Sequence, residues 1–232
     1  MKKKEEVKRY VKDLVAKKVR EMGISSLSLI LQEVKREYET AMKEYVRDVE
    51  QSWKAFKGNL LEEVILDVLK ELVEQLGLKI AKGSDIEKRE ELLEDCLCRV
   101  KRSVLVDYGE FGMHLPDIDL VIYCPYNCQA LAIISSKATL RERIAQTGYW
   151  KLKLSSSPIT KNIKVFFITL DEDGDFRVRS PAKKGRAIAE VDTDGVFLIT
   201  SSDYEESQKV KGIEYFEKVL KELTKLCQRI HP

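Results

Sequence analysis

Histidine is nearly absent from this chain: His114 and His231 are the only two in 232 residues. That count argues against a zinc site built on imidazoles, and the spacing of the five cysteines argues against one built on thiolates. Cys96 and Cys98 form C-x-C, Cys124 and Cys128 form C-x3-C, and neither is the C-x2-C pair of a zinc ribbon. An odd number of cysteines reads as free thiols, mostly buried. His114, alone before an acidic strand, reads as structural. No apolar run approaches the ~20 residues that a membrane span needs. The charged N-terminus has no signal-peptide core, so the expected compartment is the cytoplasm. No glycine-rich phosphate loop follows a strand, which excludes a P-loop or Rossmann nucleotide site. There is no internal repeat.

What is present is charge. The sequence is 34% charged and 44% hydrophobic, enough for a buried core in one large or two small domains. The net charge of +2 carries no information on its own, but its distribution does. Residues 137–164 hold seven basic side chains and one acidic, and residues 177–186 hold five basic and none acidic. Residues 62–95 hold eleven acidic against five basic. Separated basic and acidic faces are what a phosphate-binding groove requires. Residues 1–20 are also basic, nine against three, but the signs are interleaved, as on a solvated helix face. Richness in Lys and Glu is the composition of thermophilic proteins.

Periodicity places helices over residues 3–22 and 27–55, the second as one or two segments, with Ser25 and Ser26 available as caps. We read residues 1–55 as a helical subdomain serving dimerisation or DNA contact, and residues 56–232 as the catalytic domain. Gly58 breaks the pattern. A helix from Leu60 to Leu76 ends at Gly77, with Glu62 and Glu63 in its first turn. A short strand over 78–81, a helix over 85–98 and a strand from Ser103 to Tyr108 follow. Ile163–Leu170 and Gly195–Thr200 read as buried strands, and Phe176–Val178 as a short returning one. The acidic segment 171–175 is a turn, since it lacks the calcium-loop pattern, and 203–208 and 212–229 are helical. The sum is an α/β fold: a mixed sheet of about five strands with helices on both faces.

The segment from Pro116 to Trp150 organises this fold. Asp119 opens the apolar run Leu120–Tyr123, and a second run, Ala130–Ile134, closes in Ser135-Ser136-Lys137. A hairpin brings such an acid and lysine to one end, where they can hold a divalent metal and the charge that develops on phosphate. Asp117 and Asp119 share a face if both are on a strand. Asp119, directly before the apolar run, ranks first. Thr139-Leu140-Arg141-Glu142 has the form of a capping box, which starts a helix at Thr139 that is interrupted or ends near Gly148. Tyr149 and Trp150 are read as core residues, with stacking on DNA as the lesser alternative.

This pattern, an Asp separated by seventeen residues from the lysine that closes S-x-K, resembles the PD-(D/E)xK nucleases. The resemblance implies that fold for the core, with Glu62, or failing it Glu63, joining the metal site from the first core helix. Ser135 stands where the family's middle acid is expected. The same replacement, with an R-(D/E)-R element after the lysine, resembles type II restriction endonucleases that cut CCGG or CCNGG sites, the BsaWI-like and EcoRII-like enzymes. The resemblance implies Mg2+-dependent, site-specific hydrolysis of double-stranded DNA that leaves 5′-phosphates. The enzyme would be a homodimer, with a cognate DNA methyltransferase as its genetic partner. Asp119, Glu62, Lys137 and Ser135 would form the catalytic set, with Asp119, Glu62 and Asp117 as metal ligands. Arg141 and Arg143 would read guanine, Glu142 would read the cytosine amino group, and Gln146 would add a further contact. A glutamate that many members carry twelve or thirteen residues past the lysine is replaced here by Tyr149 or Trp150, so the second acid must come from elsewhere, with Glu62 first. Two other readings remain: a structure-specific or repair nuclease of the same fold, which needs no base-reading R-E-R element, and a non-catalytic DNA-binding protein on a decayed nuclease fold.

Overall fold

The computed structural model describes residues 2–230, without the side chains of residues 2, 141, 142 and 230. His231 lies outside that range. The chain opens with helix α1 (Lys2–Met22), stopped at Gly23, whose φ of 82° is left-handed. A short 3-10 turn leads into α2 (Leu27–Met42). Ser26 does not cap α2 through its side chain; its hydroxyl donates to the Met22 carbonyl, back toward α1.

Helix α3 (Val49–Gln75) is the first correction to the sequence reading. Asp48 caps it by accepting from the Gln51 amide at 2.8 Å, and it runs through Gly58 without a break. Trp53 and Phe56 before the glycine, and Leu60 and Leu61 after it, are all buried, and Tyr38 of α2 packs against the two aromatic rings. Burial on both sides of one glycine outweighs its propensity cost of about 1 kcal/mol. Glu62 and Glu63 therefore lie in the interior of a long helix, not in a first turn. No helix end marks the division at residues 55 and 56, and α1, α2 and α3 share one apolar cluster with the sheet.

β1 (Lys79–Lys82) and the single turn α4 (Gly83–Ile86) come next. The expected helix over 85–98 is instead that turn, a 3-10 segment, and α5 (Asp95–Val104), which leaves only Val106–Asp107 for β2. β2 pairs with β3 (Met113–His114) in a small ribbon. β4 (Leu120–Cys124) and β5 (Gln129–Lys137) form the central antiparallel hairpin. α6 (Arg141–Ser155) connects β5 to the parallel strand β6 (Lys164–Thr169). α6 starts one residue later than a Thr139 capping box requires, with Leu140 at the N-cap, and it passes through Gly148 uninterrupted. Phe176–Val178 is turn rather than strand, and α7 (Lys184–Asp192), not foreseen from the pattern, follows. β7 (Gly195–Leu198) is as expected, residues 203–208 are irregular rather than helical, and β8 (Val210–Gly212) precedes α8 (Phe216–Ile230).

The six-stranded sheet has the order β1-β4-β5-β6-β7-β8, antiparallel up to β5 and parallel beyond. Alternate residues bury on opposite faces: Ile134, Phe166 and Ile168 toward α3 and α8, and Ile133, Val165 and Phe167 toward α5, α6 and α7. A mixed sheet covered on both sides is the expected α/β fold, with one more strand than the sequence showed. Among the described residues, no helix is long and apolar enough to cross a membrane.

The cysteines correct the sequence reading a second time. Cys96 on α5 is bonded to Cys128, and Cys124 to Cys227 on α8, so only Cys98 is free. Spacing along the chain gave no sign of this, because the pairs are brought together by helices packing on opposite faces of the β4–β5 hairpin.

Candidate active site

The open end of the β4–β5 hairpin carries the chemistry. Asp119 directly precedes β4, and its amide donates to the Ile134 carbonyl at 3.1 Å, so the ladder extends to it. Lys137 is the last residue of β5. Lys137 Nζ lies 2.7 and 2.8 Å from the two Asp119 carboxylate oxygens. The Ser136 amide donates to Asp119 Oδ2 at 2.6 Å, which fixes the carboxylate from a second side. Behind Asp119, the Gly83 amide donates to its carbonyl at 2.8 Å. A Cβ on Gly83 would collide with the Ile118 carbonyl oxygen, so only glycine lets α4 press this closely on the acidic segment. Ser135 is half-buried on β5, and by strand alternation it is on the same side as Lys137.

Glu62 approaches from α3. It lines, together with Asp119, a cavity of about 830 Å³. Burial pushes the Glu62 carboxyl above its ordinary pKa, the Asp119 charge pushes it further, and Lys82 and Lys137 pull the other way. Glu63, one residue on, is held by Lys12 of α1 at 2.7 Å and faces Lys82 at 3.9 Å. The acid that senses Asp119 is thus Glu62. The arrangement can do two things. Two carboxylates on one cavity wall are a site for a divalent cation, and a lysine beside them can neutralise charge on a phosphate. Among the described residues, no cluster of three or more His, Cys, Asp or Glu side chains forms a closed metal cage.

Asp117 lines the same cavity as Asp119 and Glu62, and its carboxylate turns to α6. Gln146 Nε2 donates to Asp117 Oδ2 at 2.9 Å, Arg143 Nη1 donates to Gln146 Oε1 at 3.2 Å, and Arg143 stands 3.9 Å from Asp117. Arg143, exposed, and Gln146, half-buried, are thus held through Asp117, two residues before Asp119. The side chains of Arg141 and Glu142 are outside the described set; their backbone forms the first turn of α6.

Much of the remaining positive charge has structural partners. Lys151 and Lys164 both pair with Asp194, at 2.6 and 3.4 Å. Lys153 lies over the Tyr108 ring at 4.8 Å. Arg186 is fully buried and donates to the carbonyls of Phe176 and Glu205 and to the Glu190 carboxylate. The basic runs 137–164 and 177–186 are therefore only partly available to phosphate. Tyr149 is 42% exposed and bonded to Tyr108 through the two hydroxyls at 2.8 Å, so it is not a core residue, whereas Trp150 packs against the α5 cluster. His114 is exposed, with Nε2 2.9 Å from the Phe111 carbonyl. Sequence reasoning missed Lys82 and the part of α1 that lines the cavity. The signal for the latter was present: Glu5, Lys8, Arg9 and Lys12 form one polar stripe at helical spacing.

With this geometry in hand, the chain can be compared with known proteins. The model of the BsaWI restriction endonuclease family, type 2, matches residues 96–219. The chain is 33% identical to a protein of Methanocaldococcus jannaschii named as a type II restriction enzyme, MjaVIP, over 225 residues that cover 90% of this chain and 96% of that one. It is 39% identical over 126 residues to HpyAORF263P of Helicobacter pylori, also named as a type II restriction enzyme, covering 54% of this chain and 64% of that one. In fold it is similar to the restriction endonuclease AgeI in a specific DNA complex, with a TM-score of 0.53 at 15% identity, over 94% of this chain and 92% of that one. It is also similar to BsaWI in a pre-specific DNA complex, with a TM-score of 0.50 at 16% identity, over 100% of this chain and 95% of that one.

Proposed function

The chain belongs to the BsaWI family of type II restriction endonucleases, which are site-specific deoxyribonucleases, and from that premise we propose that it hydrolyses double-stranded DNA at a short G·C-rich site of CCGG or CCNGG type, using Mg2+. The observation that carries the reading is the 2.7 Å approach of Lys137 Nζ to Asp119, with Glu62 on the same cavity and Arg143 beside it.

Asp119 and Glu62 fit a magnesium ion by their chemistry. Mg2+ is bound by one or two carboxylates together with waters and substrate phosphate rather than by an all-protein cage. When bound, the ion lowers the pKa of a water and draws charge from the phosphate oxygens. Lys137, placed at the same carboxylate, holds the scissile phosphate and stabilises the extra negative charge of the pentacovalent state. The attacking water gives up a proton to solvent and forms the new bond to phosphorus, the bond to the 3′ oxygen breaks, and that oxygen takes a proton from solvent, which gives a 5′-phosphate and a 3′-hydroxyl. Ser135 occupies the position of an acid without carrying charge, so the metal-binding charge rests on Asp119 and Glu62, with Asp117 on the same cavity as a further candidate ligand.

Arg143 reads guanine in the major groove and Gln146 adds a polar contact, with Asp117 holding both side chains in place before DNA arrives. Arg141 and Glu142, two residues and one residue earlier on the same helix, complete the reader, the first for guanine and the second for the cytosine amino group. Cutting both strands of a palindrome needs two active sites, so the working form is a homodimer, protected in its host by a methyltransferase for the same site. Incubating the protein with plasmid DNA and Mg2+ tests the reading. Discrete fragments are expected. A smear, cleavage of branched DNA alone, or no cleavage at all would each contradict it.

A further inference from the structure

The interleaved charges of residues 1–20 suggest a solvated surface, but the fold places one stripe of them at the active-site cleft. On α1, Val11, Val15 and Val19 are buried in the core. The neighbouring stripe, Lys8, Arg9 and Lys12, lines the cavity that holds Glu62 and Asp119. Lys12 is bonded to Glu63 at 2.7 Å, which brings α1 within one residue of Glu62.

The three cations differ in availability. Lys12 is committed to Glu63 and anchors the helix. Lys8 pairs only with Glu5, three residues back and well exposed, at 3.1 Å, and such a pair is weak enough to exchange for a phosphate. Arg9 is exposed and has no hydrogen-bond or ion-pair partner among the described residues. An unpaired guanidinium beside a carboxylate cleft would ordinarily find an acid. That it points along the cleft wall instead suits a ligand that brings its own negative charge. A DNA strand whose scissile phosphate sits at Asp119 and Lys137 must carry its flanking phosphates past the walls of this cavity. The carboxylates there repel that strand unless cations on the wall offset them.

We infer that Arg9 and Lys8 of α1 hold the DNA backbone beside the scissile phosphate, making the N-terminal helix a sequence-independent phosphate clamp on the opposite side of the site from α6. The inference rests on the nuclease reading and adds to it a contact surface outside residues 96–219.

The test is binding of the full chain in a Lys137→Ala background, which keeps the DNA intact, to a duplex that the wild-type protein cuts and to one that it does not. Two phosphate contacts contribute about 1.8 to the slope of log K against log salt. Adding Lys8→Ala and Arg9→Ala should therefore reduce the affinity lost between 50 and 200 mM salt by roughly 12-fold, equally on both duplexes. Arg9→Ala alone should show about half the change in slope, and Arg9→Lys should restore it. An unchanged salt slope, or a loss confined to the duplex that is cut, overturns the clamp. Failure of the wild-type protein to cut any DNA is a separate result and would overturn the nuclease reading instead.

Discussion

At the scale of single residues, the outcome turns on which acid faces Asp119. Glu62 and Glu63 are adjacent and chemically alike, yet Glu63 is held by Lys12 at 2.7 Å while Glu62 is half-buried against Asp119. Glu62→Gln should therefore raise the Mg2+ concentration needed for cleavage by an order of magnitude or more, and Glu63→Gln should change it little. Titrating Mg2+ against cleavage rate checks this, and the reverse ranking would move the metal site by one residue. The raised proton affinity of Glu62 also gives a sign for pH. A carboxyl whose pKa is higher in the folded than in the unfolded protein is ionised at a cost to folding, and that cost is present above the folded pKa. It disappears as pH falls through the folded value toward the unfolded one. Glu62→Gln should therefore raise the melting temperature of the metal-free protein at neutral pH and lose that advantage in acid.

The same residues show what was legible in the sequence. Asp119 and Lys137 could be paired in advance because a hairpin has one geometry, and residues flanking its two apolar runs must meet. Asp117 could not be placed, because it precedes the strand and strand alternation says nothing about it. Its partners Gln146 and Arg143 are reached only once α6 has packed. Arg186 ends a run of basic residues with no acid among them; tertiary packing buries it, and no local pattern distinguishes a buried arginine from an exposed one.

At the scale of elements, glycine gave the misleading signals. Gly58 and Gly148 were both read as interruptions, and both lie inside continuous helices for different reasons. A Cβ at Gly58 meets nothing within 4 Å, whereas at Gly148 it would stand 2.8 Å from the Asp192 Cβ on α7. Gly58→Ala should accordingly stabilise the protein by about 0.5–1 kcal/mol. Gly148→Val should destabilise it by about 1–3 kcal/mol, because α6 and α7 must separate. Thermal melts of the two variants check both signs. A destabilising Gly58→Ala would restore the break that the sequence suggests. Buried strands such as β6 were easy to read from their continuous apolar character, while the three-residue β8 and the nine-residue α7 are too short to show a period.

At the scale of the whole molecule, the hairpin is secured at the end away from its chemistry. Cys124 and Cys128 flank its turn and are bonded to α8 and α5, while Asp119 and Lys137 occupy the open end. Thiol titration of the denatured, unreduced protein should find one free thiol, Cys98, and finding five would contradict the two bonds. The bond from Cys124 to Cys227 closes 103 residues of chain, so converting both to serine should cost about 2–4 kcal/mol of stability. A hairpin sandwiched between α3 and α6 lets one helix bring Glu62, and the other bring Arg143 and Gln146, toward the end that carries Asp119 and Lys137.

Lys137, with Asp119, is expected to break the phosphodiester bond, and the residues at the start of α6 to choose where. The most direct test is to digest one DNA of known sequence with wild-type protein and with Lys137→Ala in Mg2+, map every end, and measure binding to the fragment that contains the mapped site. The account predicts cuts by the wild-type protein at one short G·C-rich site with 5′-phosphate ends, no cuts by the variant, and sequence-selective binding by both. Cleavage that survives in Lys137→Ala at the same site would contradict it.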